Sequence, residues 1–317
     1  MSIENLMEGC DLFAVYDGHS GAEVARLCKA LLYKRIQESI HAAGPDVLGR
    51  TEDMIALLKA AFIQHNKYLA SVIGTLDDSG STATVGIVTP SHIYMAYIGD
   101  SPCCMLNPRT GLIIEEMEKH EPSLAGETAR IQAAGGFVEI DEYGTPRVDG
   151  QLAVARAFGD FSLSWRGPTP PAGADWTKMK ITAHPDVVCW KRPELGVLAI
   201  MSDGLVESDS AVLKPLAQVA HDIQKGLEAN QYNLKKAADA VVRGHVLEQR
   251  ERGPYQGDDL SLILVDVGIG AGAGQVGGAP AQPVQGLLVP QKPPTRKARR
   301  RRARTGKKTQ LIKIFSC

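Results

Sequence analysis

The chain has 317 residues, 44% hydrophobic and 22% charged, which is ordinary globular composition and excludes a wholly disordered polymer. No apolar run approaches the roughly 18 residues that a membrane-spanning helix needs, and no basic-then-apolar leader opens the sequence. The net charge of −1 hides an asymmetry: from residue 269 onward there are eleven Lys or Arg and no acid, which leaves 24 basic against 36 acidic residues, a net of −12, in the rest. Six cysteines (Cys10, Cys28, Cys103, Cys104, Cys189 and Cys317) show no CxxC and no scaffold spacing, which favours reduced thiols and a nuclear or cytoplasmic location.

In chain order, short apolar or alternating runs bounded by turn residues predict strands at 12–17, 81–88, 92–100, 103–107, 112–118, 152–158, 186–191, 196–203 and 261–267. Helical periodicity marks 21–41, 51–73, 122–134, 209–228 and 233–252, with Asn233 as the N-cap of the last and Gly135-Gly136 as the stop of the third. Thr89-Pro90-Ser91 and Asn107 to Gly111 read as hairpin turns, and 162–185 as a surface flap without a regular period. Strands in runs, with helices between the runs, predict an α+β layered domain rather than a doubly wound sheet. The organisation expected is a domain at 1–268, a Gly/Ala/Pro-rich flexible linker at 269–295 and a basic disordered tail at 296–317.

Three places set an aspartate beside an apolar strand: Asp17 before Gly18-His19, Asp203 before Gly204, and Asp258-Asp259 before Leu260. Each alone reads as a turn, but several carboxylates converging at strand ends repel one another unless a hard cation such as Mg²⁺ or Mn²⁺ neutralises them.

FAVYDGHSG, GSTATVGIV, YIGDSP, ARIQAAGGFVEI, RVDGQLAVARAFGD, IMSDGLVE and GDDLSLILV occur in that order between residues 12 and 267. Together they resemble the metal-dependent serine/threonine protein phosphatases of the protein phosphatase 2C type. The resemblance implies a sandwich of two antiparallel β-sheets flanked by helices, a four-layer αββα fold. It implies two Mg²⁺ or Mn²⁺ ions, bridged by Asp17, with the Gly18 carbonyl on the second and Asp203 and Asp258 completing the first. The paired ions would lower the pKa of a shared water to give a bridging hydroxide, and His19 would protonate the leaving alkoxide of phosphoserine or phosphothreonine. Gly80-Ser81-Thr82 and Gly99-Asp100-Ser101 are expected to set turns and buried hydrogen bonds, Arg156 to be a structural charge, and Asp160 a turn residue.

The chain also departs from the family. It starts about eleven residues before FAVYDGHSG, where members carry two further strands, a phosphate-gripping arginine and a Glu-Asp pair, so an N-terminally short sandwich is expected. Lys119 and Glu207 stand at aspartate positions of a third, weaker metal site, Pro102 replaces an arginine, and Asp259 replaces an asparagine. Expected partners are phosphoprotein substrates and, through the basic tail, a nuclear import receptor, nucleic acid or anionic membrane, for a chain acting as a monomer. The competing reading is a phosphatase-like regulatory or binding protein without useful turnover.

Overall fold

The computed structural model describes residues 1–165, 169–206, 215–252, 259–269 and 284–285. The chain opens with a hairpin of β1 (Ser2–Met7) and β2 (Cys10–Val15), turned at Gly9, whose φ of 72° suits glycine. The two-residue β3 (Gly18–His19) leads into α1 (Glu23–Ala43) and α2 (Thr51–Val72). β4 (Gly80–Ser81), β5 (Ala83–Val88), β6 (His92–Ile98), β7 (Cys103–Leu106) and β8 (Ile113–Glu116) follow in succession. Next come α3 (Ala125–Ala133), a hairpin of β9 (Val138–Ile140) and β10 (Pro146–Val148), β11 (Phe158–Gly159) and the single turn α4 (Phe161–Ser164). The described chain closes with β12 (Asp186–Lys191), β13 (Val197–Met201), α5 (Leu216–Ala229), α6 (Leu234–Arg252), β14 (Leu262–Asp266) and β15 (Val284–Gln285).

Two five-stranded sheets, ordered β1-β2-β5-β6-β12 and β15-β14-β13-β7-β8, carry the fold, and the pairings within them are antiparallel. Alternation along each strand sends one set of side chains between the sheets and the other toward helices. Phe13, Val15, Met95 and Tyr97 of the first sheet meet Met105, Leu198, Ile200 and Val265 of the second in one apolar cluster. On the outer face of the first sheet, Leu12, Val85 and Tyr94 pack with Leu32, Ile36, Leu58 and Phe62 of α1 and α2. On the outer face of the second, Ala199, Met201 and Leu264 pack with Ile223, Leu227, Ala238 and Val242 of α5 and α6. The result is the expected four-layer αββα sandwich.

Most predicted elements occur within two residues of their expected ends, including the Asn233 cap, whose Oδ1 accepts from the Lys236 N–H at 3.0 Å. The run at 152–158 is a correction. Only Phe158–Gly159 is strand, because its partner β4 is two residues long and the rest of the run is held by isolated bridges. A second correction concerns the start: a strand, β1, does precede β2, pairing Ser2 with Phe13 and Met7 with Cys10. Within the span read as linker, Val284 and Gln285 pair with Leu264 and Ile263. Residues 209–214 of the predicted fourth helix, together with Glu207 and the tail at 296–317, lie outside the described residues. No helix among the described residues is long and apolar enough to cross a membrane.

Candidate active site

Antiparallel register decides where the acidic residues gather. Asp17 follows the C-terminal end of β2, whose Val15 pairs with Thr84 near the start of β5. Ala83 in turn pairs with Ile98 near the end of β6, which leads into Asp100. In the second sheet, Ile200 pairs with Cys103, so Asp203 leaves β13 where β7 begins, and Met201 pairs with Leu262 at the start of β14. The Met201 N–H donates to the Pro102 carbonyl at 3.0 Å and extends the β13–β7 ladder toward Asp203. Proline keeps its carbonyl, so Pro102 serves as well there as the usual residue.

Hydroxyl side chains lock these ends. The Thr82 N–H donates to the Asp17 carbonyl at 2.8 Å, and the Asp17 N–H donates back to Thr82 Oγ1 at 3.2 Å. Thr82 Oγ1 lies 2.7 Å from Ser101 Oγ, and Thr84 Oγ1 donates to the Ser101 carbonyl at 2.8 Å, fastening the Asp17 and Asp100 ends together. Ser202 Oγ donates to the Asp259 carbonyl at 2.8 Å and accepts from the Ser261 N–H at 2.8 Å, which ties the residue before Asp203 to the start of β14. The turn and hydrogen-bond roles expected around Ser81, Thr82 and Ser101 are therefore present. Asp258 itself lies outside the described residues.

His19 sits in β3, which pairs with β4, and β4 pairs with β11 just before Asp160. The His19 Nε2–H donates to the Asp160 carboxylate, 3.0 Å from Oδ1 and 2.8 Å from Oδ2. Gly80 makes this possible, because a Cβ there would fall inside contact distance of both partners. Burial pulls the imidazole toward its neutral form, but the bond to Asp160 and the charges of Asp160, Asp100 and Asp203 outweigh it, holding the pKa above the ordinary 6.5. At Asp160, burial raises the carboxyl and the contact with His19 draws it back down. Asp160 does take a turn conformation, with φ 50°, but its side chain is 3% exposed and orients His19.

Asp100 is the second residue whose weight the sequence understated. Burial, then the charge of Asp203, pushes its pKa up to about 7, while Lys119 and His19 pull it back. Its signal was present, for Tyr97-Ile98-Gly99-Asp100 repeats the strand-then-aspartate pattern seen at Asp17 and Asp203. Asp160 had no such signal, since its partner is 141 residues away.

Behind the site, Arg156 plays the structural part expected of it. It donates to Glu127 at 2.6 and 2.9 Å and to Asp186 at 2.9 Å, and Asp186 also accepts from His120 Nε2 at 3.1 Å. His120 Nδ1 accepts from the Gly99 N–H at 3.2 Å, while the His120 N–H donates to the Gly99 carbonyl at 3.0 Å. The network thus ends on the residue before Asp100.

Among the described residues, no three His, Cys, Asp or Glu side chains meet as a formed metal-binding group. The donor chemistry nevertheless fits a hard divalent cation. Asp17 and Asp100 stand at strand ends of the first sheet tied through Thr82 and Ser101, and Asp203 at a strand end of the second lies within electrostatic reach of Asp100. The repulsion that adds to burial in lifting Asp100 is the kind a cation relieves.

Comparison with known proteins identifies the family to which this fold belongs. The family described as protein phosphatase 2C matches residues 4–247. The chain belongs to that family. It is 30% identical over 267 residues to protein phosphatase 2C homolog 3 of Schizosaccharomyces pombe, covering 84% of this chain and 58% of that protein. It is 32% identical over 211 residues to the probable protein phosphatase 1N of Homo sapiens, covering 66% and 45% respectively. The chain thus spans about half the length of these curated relatives. A solved phosphatase of Toxoplasma gondii superposes with a TM-score of 0.70 at 19% identity, over 90% of this chain and 91% of that one, a likeness of fold.

Proposed function

We propose that this protein is a protein serine/threonine phosphatase that hydrolyses phosphoserine and phosphothreonine with the help of two Mg²⁺ or Mn²⁺ ions. The observation that carries the reading is the His19–Asp160 pair set within electrostatic reach of Asp100 and Asp203, in a chain of this family. Asp17, the Gly18 carbonyl, Asp203 and Asp258 would hold the ions. When bound, such ions lower the pKa of water and neutralise phosphate oxygens.

The protein's own residues supply the rest. With Nε2 committed to Asp160, Nδ1 is the ring nitrogen through which His19 delivers a proton to the departing serine or threonine oxygen. Asp160 keeps the ring charged and fixes its tilt, the role of a positioning residue. The Thr82, Ser101 and Ser202 clips hold the acidic ends still, so that little reorganisation accompanies reaction.

The test is hydrolysis of a phosphothreonine peptide in Mn²⁺ by the folded chain, alongside Asp203→Ala. Loss of turnover on chelation and in the variant is expected. A folded chain without turnover would refute the enzymatic reading and leave a phosphatase-like binding protein.

A further inference from the structure

Lys119 lies where the acidic edge needs a positive charge. Its neighbour His120 is clamped to Gly99 by two reciprocal hydrogen bonds, so Lys119 and Asp100 each stand one residue beyond the same clamp. Lys119 Nζ then reaches across to donate to the Val206 carbonyl at 3.2 Å, at the end of the short turn that begins with Asp203. The half-buried ammonium is therefore pinned between the strand end that carries Asp100 and the turn that carries Asp203. The other basic side chains held near this network are already committed: His19 to Asp160, Arg156 to Glu127 and Asp186, and Arg130 to Glu127.

A fixed monovalent cation beside clustered carboxylates has two consequences. It offsets part of their charge, so the site attracts a divalent cation less strongly than the same carboxylates would alone. It also leaves a positive group at the edge of a site that must receive a dianionic phosphate.

We infer that Lys119 is the resident counter-cation of this active site, weakening its hold on divalent metal and strengthening its hold on phosphate. This rests on the metal-dependent reading proposed above. The lysine acts through charge at a set position.

The experiment is calorimetric titration of the folded full chain with Mn²⁺ alone, and then with inorganic phosphate in the presence of Mn²⁺. Wild type is compared with Lys119→Met, which keeps the stem and removes the charge, and Lys119→Arg, which keeps the charge. Thermal melts confirm that all three are folded. Lys119→Met is expected to bind Mn²⁺ about three- to tenfold more tightly, and phosphate more weakly by a similar factor, while Lys119→Arg stays near wild type. Equal Mn²⁺ affinity in wild type and Lys119→Met would overturn the assignment while leaving the phosphatase reading intact. A wild type that takes up no Mn²⁺ and hydrolyses no phosphothreonine peptide would overturn both.

Discussion

His65 of α2 offers a prediction whose size follows from the structure. The ring is 0% exposed, sits edge-on to Phe158 with centroids 5.3 Å apart, and neither nitrogen has a hydrogen-bond partner among the described residues. Burial, helped by the charge of Arg35, takes its pKa from 6.5 down to about 3. In the window between those values the unfolded chain binds a proton and the folded chain does not. Stability therefore falls as pH falls through that window, and is unaffected by this group above it. At about pH 5 the unfolded-state preference amounts to about 2 kcal/mol.

His65→Leu keeps a similar volume and removes both the titration and the orphaned nitrogens, whose burial costs about 1–3 kcal/mol. Urea unfolding of both proteins at about pH 7.5 and about pH 5 is the assay, with stability taken from linear extrapolation. The variant should be the more stable at both values, and its advantage should grow by about 2 kcal/mol on acidification. Parallel pH dependence in the two proteins would refute the reasoning. The effect also bears on the active site, because the Asn66 side chain next to His65 accepts the Gly159 N–H at 3.1 Å, directly before Asp160.

Other expectations concern the site and its support. In Asp160→Asn the charge that keeps His19 protonated is gone, so the high-pH limb of turnover should move to lower pH, with turnover down by about 10²-fold; an unmoved limb in a pH–rate profile would count against the pairing. Gly80→Ala forces His19 and Asp160 apart and should cost at least about tenfold in turnover, with Mn²⁺ affinity by calorimetry unchanged. Arg156→Met leaves the Glu127 carboxylate, whose side chain is 7% exposed, with only Arg130, and should destabilise the fold by about 3–5 kcal/mol in a denaturant titration.

Much of this was legible in the linear sequence because its causes are local. The nearly continuous apolar runs that became β5, β6 and β13 report strands buried on both faces, and the spacing of Val24, Cys28 and Leu32 reports the buried stripe of α1. Asp17 and Asp203 stand out in the sequence because an aspartate after an apolar run is visible within a few residues. β1 escaped because SIENLM is largely polar and exposed, and becomes strand only through its ladder with β2. The run at 152–158 misled for the opposite reason: it has the composition of a strand, but most of its length has no neighbouring strand to pair with.

The sequence by itself determined the family, the layered α+β class and the residue types of the acidic edge, since these are written in periodicity and motif order. Only the tertiary structure decided which residues act on one another. Register brought Asp100 beside the Asp203 turn, a glycine at position 80 let Asp160 close on His19, and the clamp between His120 and Gly99 set Lys119 next to the carboxylates. Electrostatic and hydrogen-bond partners separated by tens of residues leave no local trace in a chain, because what selects them is distance in space.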